Sequence, residues 1–261
     1  MLNDLQQNYL RTMEIDIWVR RELIIEHVEP KSSVVSAVKS SMPVAARQHL
    51  KPKSKPITPE VSAPKPSQLE HVGWDELQQQ VAQCTACALH KSRTQTVFGV
   101  GNPKADILFI GEAPGSDEDI QGEPFVGRAG QLLNRMLFAI QLQREDIYIA
   151  NILKCRPPEN RNPIAEEKLC CTPFLKRQIA LIQPKVIIAL GRIAATFLLE
   201  NDKAMGVLRN QSRKQTLSYA DTGVRALATY HPAYLLRSNL QKRKAWEDLQ
   251  LIKQIMTEYG L

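Results

Sequence analysis

The sequence predicts an α/β fold of three layers, with helices on both faces of a central, mostly parallel, four-stranded sheet. Four short apolar runs rich in β-branched residues alternate with longer segments of helical periodicity. This alternation is typical of parallel strands, which need a crossover segment between them. No apolar run approaches the roughly 18 to 20 residues that would cross a bilayer, so we expect a cytoplasmic protein with no membrane partner.

Each predicted strand or helix corresponds to one such stretch. The strands cover Asp106–Ile110, Asp146–Leu153, Lys185–Leu190 and Val224–Tyr230. The helices cover Gly127–Ile140, Ala165–Ile182, Arg192–Leu199 and a last segment from about Leu240 to Tyr259. The largely apolar strands favour a sheet that is covered on both faces.

The folded domain is expected to begin near residue 69. Residues 1–29 have the pattern of a short amphipathic helix. Residues 30–68 contain seven prolines among Ser and Lys, a composition that buries too little apolar surface to offset the entropy of ordering. We therefore expect an N-terminal amphipathic peptide (1–29), a disordered basic linker (30–68) and one α/β domain (69–261).

The formal net charge of +7 is concentrated in this linker. Between Lys31 and Gln68 there are seven cations and one anion, so the rest of the chain is nearly neutral. A basic balance suits a polyanionic partner such as DNA. The alternative is that the basic linker only keeps the chain soluble.

Polar segments follow three of the predicted strands. These segments are Gly111–Gly115 (GEAPG), Asn151–Pro163 (NILKCRPPENRNP) and His231–Arg237 (HPAYLLR). In open α/β sheets the ligand crevice lies at the carboxyl ends of the strands. We therefore expect the three segments to meet in one cleft.

Five cysteines point to metal or redox chemistry, because an odd number in a cytosolic chain argues against a disulfide framework. Cys84 and Cys87 form a C-x-x-C pair, and Cys155 lies in one of the strand-end segments. Four thiolates can hold a zinc ion or an iron–sulfur cluster. Cys170 and Cys171 would point about 100° apart on a helix, so only one should be a ligand. The alternative is five unrelated buried thiols.

The glycine-rich segment 111–131 lacks the Gly-Lys-Ser/Thr ending of a phosphate-binding loop, which argues against nucleoside triphosphates. Phe125 lies in a loop within it, where its ring could stack on a flat base or simply fill the core. The acidic run from Asp117 to Asp119 could be a solvated loop or a divalent-metal site.

Two further polar residues stand at strand ends. Asn151 interrupts an otherwise apolar strand, and a buried carboxamide must find hydrogen-bond partners. Its adjacent acceptor and donor match the edge of uracil, whose N3–H donates and whose O4 accepts. The alternative is that Asn151 braces the proline-rich loop. His231, held by Pro232, could direct its imidazole toward the cleft or be purely structural.

Taken in order, these motifs resemble those of the type 4 uracil-DNA glycosylases. The shared motifs are GEAPG, D-E-D, G-x-P-F-V-G-R-A-G-Q-L-L, N-x-x-K-C-R-P-P-x-N-R-x-P and H-P-x-x-L-L, over roughly residues 70–261. The resemblance implies a uracil-DNA glycosylase-like fold. It also implies an enzyme that hydrolyses the N-glycosidic bond between uracil and deoxyribose in DNA, which initiates base excision repair.

The resemblance further implies a 4Fe-4S cluster with a mainly structural role. The implied cluster ligands are Cys84, Cys87, Cys155 and Cys171, since the family has a ligand sixteen residues after the third cysteine. The implied uracil-pocket residues are Glu112, Ala113, Glu118, Phe125, Asn151 and His231. The family often has Gly where Ala113 stands. Relatives that bind uracil-DNA irreversibly use a histidine in an inserted basic loop, and no such insertion follows Asn151.

The hypothesis for recognition starts from a base that is flipped out of the duplex or met in a single strand. Phe125 would stack on the uracil ring, and Asn151 would read its Watson–Crick edge. Glu118 is the candidate for excluding the 5-methyl group of thymine. In the loop after the histidine, Leu235 and Leu236 would be apolar wedges in the duplex, beside a DNA contact from Arg237.

The hypothesis for cleavage starts from the negative charge that develops on the departing uracil. His231 and the backbone N–H of Ala113 would donate hydrogen bonds to uracil O2, which is electrostatic stabilisation of the transition state. Glu112 would orient the water that adds to the sugar.

Three other functions fit the same residues. A non-cleaving protein that binds uracil-DNA would release no free base. A metal-dependent nuclease using Asp117, Glu118 and Asp119 would cut the strand instead. A related enzyme would remove another deaminated base such as hypoxanthine.

The N-terminal peptide raises a separate question about partners. Its segment LRTMEIDIWVRREL resembles the partner-binding N-terminal peptide of the bacterial replicase psi subunit. This resemblance implies a replisome partner that binds residues 1–30, and the alternative is a frayed helix without one. We expect the protein itself to be a monomer.

Overall fold

The computed structural model describes residue 7 and residues 69–215, 217–220 and 222–261. The predicted peptide at 1–29, apart from Gln7, and the predicted linker at 30–68 lie outside the described residues. Both therefore stay predictions. Within the described part, helices and strands alternate, and none of these helices combines the length and apolarity that a membrane span requires.

The described residues form one sheet of six strands. The strands are β1 (Val100–Gly101), β2 (Ile107–Gly111), β3 (Tyr148–Asn151), β4 (Val186–Leu190), β5 (Leu217–Ser218) and β6 (Arg225–Thr229). Their spatial order is β1-β3-β2-β4-β6-β5. The central strands β3, β2, β4 and β6 are mutually parallel, and β1 and β5 pair antiparallel at the two edges.

The predicted α/β class and parallel centre are confirmed, and the predicted count of four strands is wrong. The four predicted strands are the central ones, whose apolar runs are buried along nearly their whole length. The two additional strands are only two residues long, which is too short for a periodic pattern. They exist as strands only because they pair with β3 and β6.

Helices cover both faces of the sheet. They are α1 (Trp74–Ala82), α2 (Ser116–Gln121), α3 (Arg128–Ala139), α4 (Ala165–Ile182), α5 (Arg192–Leu199), α6 (Met205–Lys214), α7 (Pro232–Arg237) and α8 (Lys242–Tyr259). Short 3-10 helices lie at Ala88–Lys91, Arg144–Asp146, Pro158–Asn160 and Asn239–Gln241.

Alternate side chains of each strand enter different cores. Leu108 and Ile110 of β2 pack in a first core with α1, α4, α5 and α6. Ile107 and Phe109 of the same strand pack in a second core with α3, α7 and α8. This period of two is that of a pleated strand buried on both faces, and it produces the three predicted layers.

Helices α4 and α5 have the predicted bounds. Helices α3 and α8 begin and end within about two residues of their own predicted bounds. Four helices were not predicted. Among them, α2 and α7 have only six residues each, and α6 has a mostly polar sequence. The segment from Ala233 to Arg237, predicted as a loop, is part of α7, which starts at Pro232 with His231 as its N-cap. Proline is favoured at the first position of a helix because its missing N–H needs no partner there.

Candidate active site

A cleft of about 420 Å³ opens at the carboxyl ends of β2, β3 and β6. All six predicted pocket residues line it, namely Glu112, Ala113, Glu118, Phe125, Asn151 and His231. Arg237 lines it as well. The parallel direction of the three strands brings their polar ends to one edge of the sheet, where ligand crevices lie.

Asn151 ends β3 and is 2% exposed. Its Oδ1 is buried and has no hydrogen-bond partner among the described residues. An unpaired buried acceptor of this kind costs about 1–3 kcal/mol, so a ligand that donates a hydrogen bond to it recovers that energy.

Gly111 makes room for this carboxamide. It lies opposite Asn151 in the β2–β3 ladder. A Cβ at residue 111 would clash with the Asn151 Oδ1 and lie 2.8 Å from the ring of Phe125. Glycine is therefore required where β2 enters the cleft, because any side chain would fill the space between these two groups.

Phe125 belongs both to the core and to the wall of the cleft. It is 5% exposed and packs in the second core, and it also lines the cleft. Its ring centroid lies 5.4 Å from that of His231, with the planes inclined at 31°. Its backbone has a φ of +56°, which is uncommon for a bulky residue and requires support from its surroundings.

Arg144 supplies that support, and sequence reasoning missed it. Its guanidinium donates hydrogen bonds to the carbonyl oxygens of Phe125, at 3.1 Å, and Pro124, at 2.7 Å, and to Asn134 Oδ1, at 3.1 Å. Burial lowers the pKa of Arg144. The guanidinium therefore fixes the loop that carries the aromatic ring, across a separation of about twenty residues.

The carboxylate of Glu118 is bound to backbone groups. Its oxygens accept hydrogen bonds from the N–H groups of Gly115 and Val126, both at 3.0 Å, and of Gly127, at 3.2 Å. Both oxygens of the neighbouring Asp119 accept from the N–H of Thr94. These acidic side chains therefore brace the walls of the cleft, although Glu118 also lines it.

His231 is oriented by its own helix. Its Nδ1 accepts a hydrogen bond of 3.1 Å from the Ala233 N–H, which leaves Nε2 to carry the proton of a neutral ring. Burial, and then the positive charge of Arg237, lower the pKa of His231 to about 4. The imidazole is therefore neutral near pH 7 and offers an Nε2–H donor.

A buried ion-pair network anchors β6, the strand that precedes this histidine. The hydroxyl of Thr229 donates a 2.7 Å hydrogen bond to Asp248 of α8, and Asp248 pairs with Arg209 of α6 at 2.8 Å. Arg209 lies 5.9 Å from the centre of the Tyr230 ring. The end of β6 is therefore tied to both layers of helices.

Glu112, the first residue after β2, is half-buried on the wall of the cleft. Burial raises the pKa of its carboxyl, and the nearby positive charges of Lys168 and Arg192 partly oppose this effect. The group is thus positioned beside any ligand in the cleft, in a medium less polar than water.

The predicted DNA wedge requires a correction. Leu235 is 1% exposed and packs in the second core, because α7 turns it away from solvent. Leu236 is partly buried against the same core. Arg237 is exposed and lines the cleft, as a DNA contact requires. The exposed apolar side chains of this region are instead Tyr234, at 37%, and Leu240, at 92%.

A second, smaller cavity collects the cysteines. Its walls include Cys84, Cys87, Cys155, Cys170 and Cys171, with Val81, Leu89 and Phe174 as apolar neighbours. Burial is the main cause that raises the pKa of Cys87, Cys155, Cys170 and Cys171. The described residues contain no group of three or more His, Cys, Asp or Glu side chains arranged to hold a single metal ion.

The two adjacent cysteines on α4 have different partners. The Cys170 thiol donates a 3.4 Å hydrogen bond to the carbonyl of Ala86. The Cys171 sulfur instead accepts one of 3.1 Å from the Lys154 N–H. Cys155 similarly accepts from the Arg93 guanidinium at 3.1 Å. Cys155 and Cys171 therefore accept hydrogen bonds at sulfur, whereas Cys170 donates one.

Lys154 joins the two cavities, and sequence reasoning gave it no role. It is buried, and its ammonium donates hydrogen bonds to Asn151 O at 2.9 Å, Gln178 Oε1 at 2.5 Å and Phe98 O at 3.2 Å. Burial lowers its pKa to about 8, against the effect of Cys171 and Cys155. A lysine within the apolar stretch ILKC was the available signal, because a buried lysine needs dedicated partners.

Comparison with known proteins identifies a family. The profile of the Uracil DNA glycosylase superfamily matches residues 98–250. The chain is 48% identical to a "Type-4 uracil-DNA glycosylase" of Archaeoglobus fulgidus over 183 residues, which cover 69% of this chain and 92% of that relative. Relatives of the same description match at 44% in Thermotoga maritima (70% and 94% covered) and 41% in Saccharolobus solfataricus (70% and 86%).

Proposed function

This chain belongs to the type-4 uracil-DNA glycosylases of the uracil DNA glycosylase superfamily, and we propose that it releases uracil from DNA by hydrolysing the N-glycosidic bond. The observation that carries this proposal is the meeting of three groups in one cleft. They are the unpaired Oδ1 of Asn151, the ring of Phe125 and the neutral imidazole of His231. Their chemistry suits a planar base with a hydrogen-bonding edge.

Recognition depends on Asn151 and Phe125. The Asn151 Oδ1 accepts from uracil N3–H, and its amide nitrogen donates to O4. Cytosine presents an unprotonated N3 and an amino group at these positions, so it meets the wrong partners. Phe125 stacks on the ring of a base that has been flipped out of the duplex or is met in a single strand.

Catalysis depends on donors directed at uracil O2. The His231 Nε2–H is available because Nδ1 is already occupied by the Ala233 N–H. A neutral imidazole retains this donor throughout the reaction, and the backbone N–H of Ala113 is the second candidate donor. Hydrogen bonds that strengthen as charge develops on the leaving base stabilise the transition state more than the ground state.

Glu112 completes the proposed mechanism. As a carboxylate it stabilises the positive charge that develops on the sugar and orients the water that adds to C1′. The positive charges of Lys168 and Arg192 favour this ionised form. We propose that Glu118 acts on uracil through the loop that it braces, because backbone N–H groups occupy both of its oxygens.

DNA binding uses the exposed rim of the cleft. Arg237 is a candidate phosphate contact. In place of the buried Leu235, we propose that Tyr234 and Leu240 contact the bases left behind together with the half-buried Leu236, since Tyr234 and Leu240 are exposed and stand three residues from Arg237 in the chain.

The cysteine cavity fits a 4Fe-4S cluster in its donor set and in its charge. Cys84, Cys87, Cys155 and Cys171 would hold the cluster, and Cys170 would remain a thiol. The buried ammonium of Lys154 has only neutral oxygen acceptors among its hydrogen-bond partners, so the negative charge of four thiolates beside it would compensate a cation that is otherwise costly. When bound, the cluster supplies a structural cross-link between the segment after α1, the loop after β3, and α4.

Release of free uracil is the direct test. An oligonucleotide with one deoxyuridine is incubated with the protein in excess EDTA, and free base and strand length are both measured. We expect free uracil and an intact strand with an abasic site, and no release from matched strands carrying cytosine or thymine. Binding without release would indicate a non-cleaving binding protein. A parallel reaction contains magnesium in place of EDTA, and strand scission there without free base would indicate a nuclease.

A further inference from the structure

A third cavity lies beside the active cleft. It has a volume of about 300 Å³ and is bounded by α4, α5 and the loop that follows the 3-10 helix Pro158–Asn160. Asn162 lines both this cavity and the cleft, so the two are direct neighbours. A polymer with one residue in the cleft can therefore have its next unit in this cavity.

Two cations line the cavity. Lys168 comes from α4, and Arg192 is the first residue of α5. Both act electrostatically on the carboxyl of Glu112, so their charges lie near that wall of the cleft. Arg192 forms an ion pair of 2.9 Å with Asp202, but both side chains are more than half exposed. Such surface pairs contribute about 0–1 kcal/mol, so a phosphate can replace the carboxylate at little cost.

The remaining walls suit a sugar-phosphate unit. The hydroxyl of Thr196 is buried and has no hydrogen-bond partner among the described residues. It lies one helical turn after Arg192, on the same side of α5. Ile193 and Phe197 add apolar surface. Cations, a hydroxyl without a partner and an apolar wall together match a phosphodiester with its attached deoxyribose.

We propose that this cavity is a subsite for the DNA strand next to the extruded uracil, in which Lys168 and Arg192 bind the flanking phosphodiester and Thr196 donates a hydrogen bond to the same unit. The proposal rests on the proposed uracil-DNA substrate, and it assigns a function to residues outside the base pocket. Binding here would anchor the strand while the base is in the cleft.

The test combines a charge scan of the DNA with variants of the cavity. Single-stranded oligonucleotides carry 2′-fluoro-deoxyuridine, which resists cleavage, and each phosphodiester near the uracil is replaced in turn by a neutral methylphosphonate. We expect one position at which the replacement weakens binding to the natural protein about tenfold. In the double variant Lys168→Gln, Arg192→Gln, binding to the fully charged strand should be weaker by a similar factor, and that replacement should have no further effect.

Two further measurements sharpen the outcome. The slope of log K against log salt should fall by about 0.7 in the double variant, as expected when a single strand is bound through one phosphate fewer. Lys185→Gln is the matched control, because Lys185 is an exposed lysine whose ion pair with Asp106 resembles that of Arg192 with Asp202, and it stands before β4 at the opposite end of the sheet. It should leave both results unchanged.

The proposal would be overturned if the effects of the double variant and of the methylphosphonate on binding were additive. It would also be overturned by a scan without any sensitive position, which is the result expected if the cavity bound only free phosphate. Either failure is distinguishable from failure of the proposed function, because uracil release by the natural protein is measured separately.

Discussion

The cleft and the cysteine cavity are built on opposite principles. The cysteine cavity belongs to the first core, and its sulfurs are surrounded by apolar side chains and fixed hydrogen-bond donors. The cleft is open, and it keeps a buried Asn151 oxygen unpaired and a His231 N–H available. Groups that are satisfied within the protein stabilise the fold, whereas groups left unsatisfied are available to a substrate.

The two regions nevertheless share one short segment. Asn151 lines the cleft and Cys155, four residues later, lines the cysteine cavity. Between them, Lys154 binds the carbonyl of Asn151 through its ammonium and the sulfur of Cys171 through its N–H. We therefore expect changes in the cleft to affect catalysis first, changes among the cysteines to affect stability first, and changes at Lys154 to affect both.

The largest effect is expected for His231→Ala. Loss of one donor to the leaving base should lower the single-turnover rate of uracil excision by about two to three orders of magnitude. Binding of uracil-DNA should persist, and the lost N-cap should cost only about 1 kcal/mol of folding stability. An unchanged rate would remove His231 from the mechanism.

Asn151→Ala should come next, with kcat/KM for uracil excision lower by about 10- to 100-fold and weaker discrimination against cytosine. Folding stability should change little in comparison, because the Oδ1 has no partner to lose. Thermal unfolding and excision are measured on the same preparation. If the melting temperature falls and excision does not, Asn151 is a brace for the following loop.

Cys171→Ala and Cys170→Ala form a matched pair on one helix. Only the first should remove iron and the visible absorption near 400 nm, and it should lower stability by about 2 kcal/mol or more, roughly 4–8 °C in Tm. Cys170→Ala should retain iron, because its thiol only donates to the Ala86 carbonyl. Equal iron loss in both variants would contradict the ligand assignment.

Lys154→Met tests the connection between the two regions. Three oxygen acceptors lose their donor, so stability should fall by about 1–3 kcal/mol. KM for uracil-DNA should also rise several-fold, since the Asn151 backbone loses its support. Lys185→Met, at an exposed lysine, is the control. A loss of stability with unchanged KM would show that the cleft is independent of the cysteine cavity.

The smallest effect concerns pH. Because burial lowers the pKa of folded His231 to about 4, the unfolded chain takes up a proton first as pH falls below about 6.5. The contribution of His231 to the free energy of unfolding is complete above that pH and is lost progressively between about pH 6.5 and 4. Between pH 7 and 5.5, natural protein should lose about 1 kcal/mol more stability than His231→Ala. The free energy of unfolding of both proteins is measured by urea unfolding at each pH. If it falls equally with pH in both, the imidazole of His231 is not buried and neutral.

Much of the fold and of the site could be predicted from local patterns in the sequence. Ala165–Ile182 and Arg192–Leu199 were predicted at their observed bounds, since each carries a helical pattern between loop residues. Helix α6 was missed because its apolar positions are few, and it forms by packing Leu208 under the sheet. The edge strands depend wholly on their neighbours.

Within the site, the residues whose roles were not predicted, or were predicted wrongly, depend in the same way on contacts between distant segments. Arg144 supports Phe125 from about twenty residues away, and Lys154 reaches Phe98 and Gln178 across still longer separations. Leu235 was expected at the DNA surface, but α7 turns it into the core. No local pattern contains these interactions.

The sequence by itself determined which residues gather at one edge of the sheet. Parallel strands joined by helices all have their carboxyl ends on the same side, so residues that follow them must meet. Only the tertiary structure decided which of those residues keep an unused hydrogen-bonding group, which ring nitrogen of His231 carries the proton, and which leucine is buried. These properties depend on distances between segments far apart in the chain, and such distances exist only after the layers have packed.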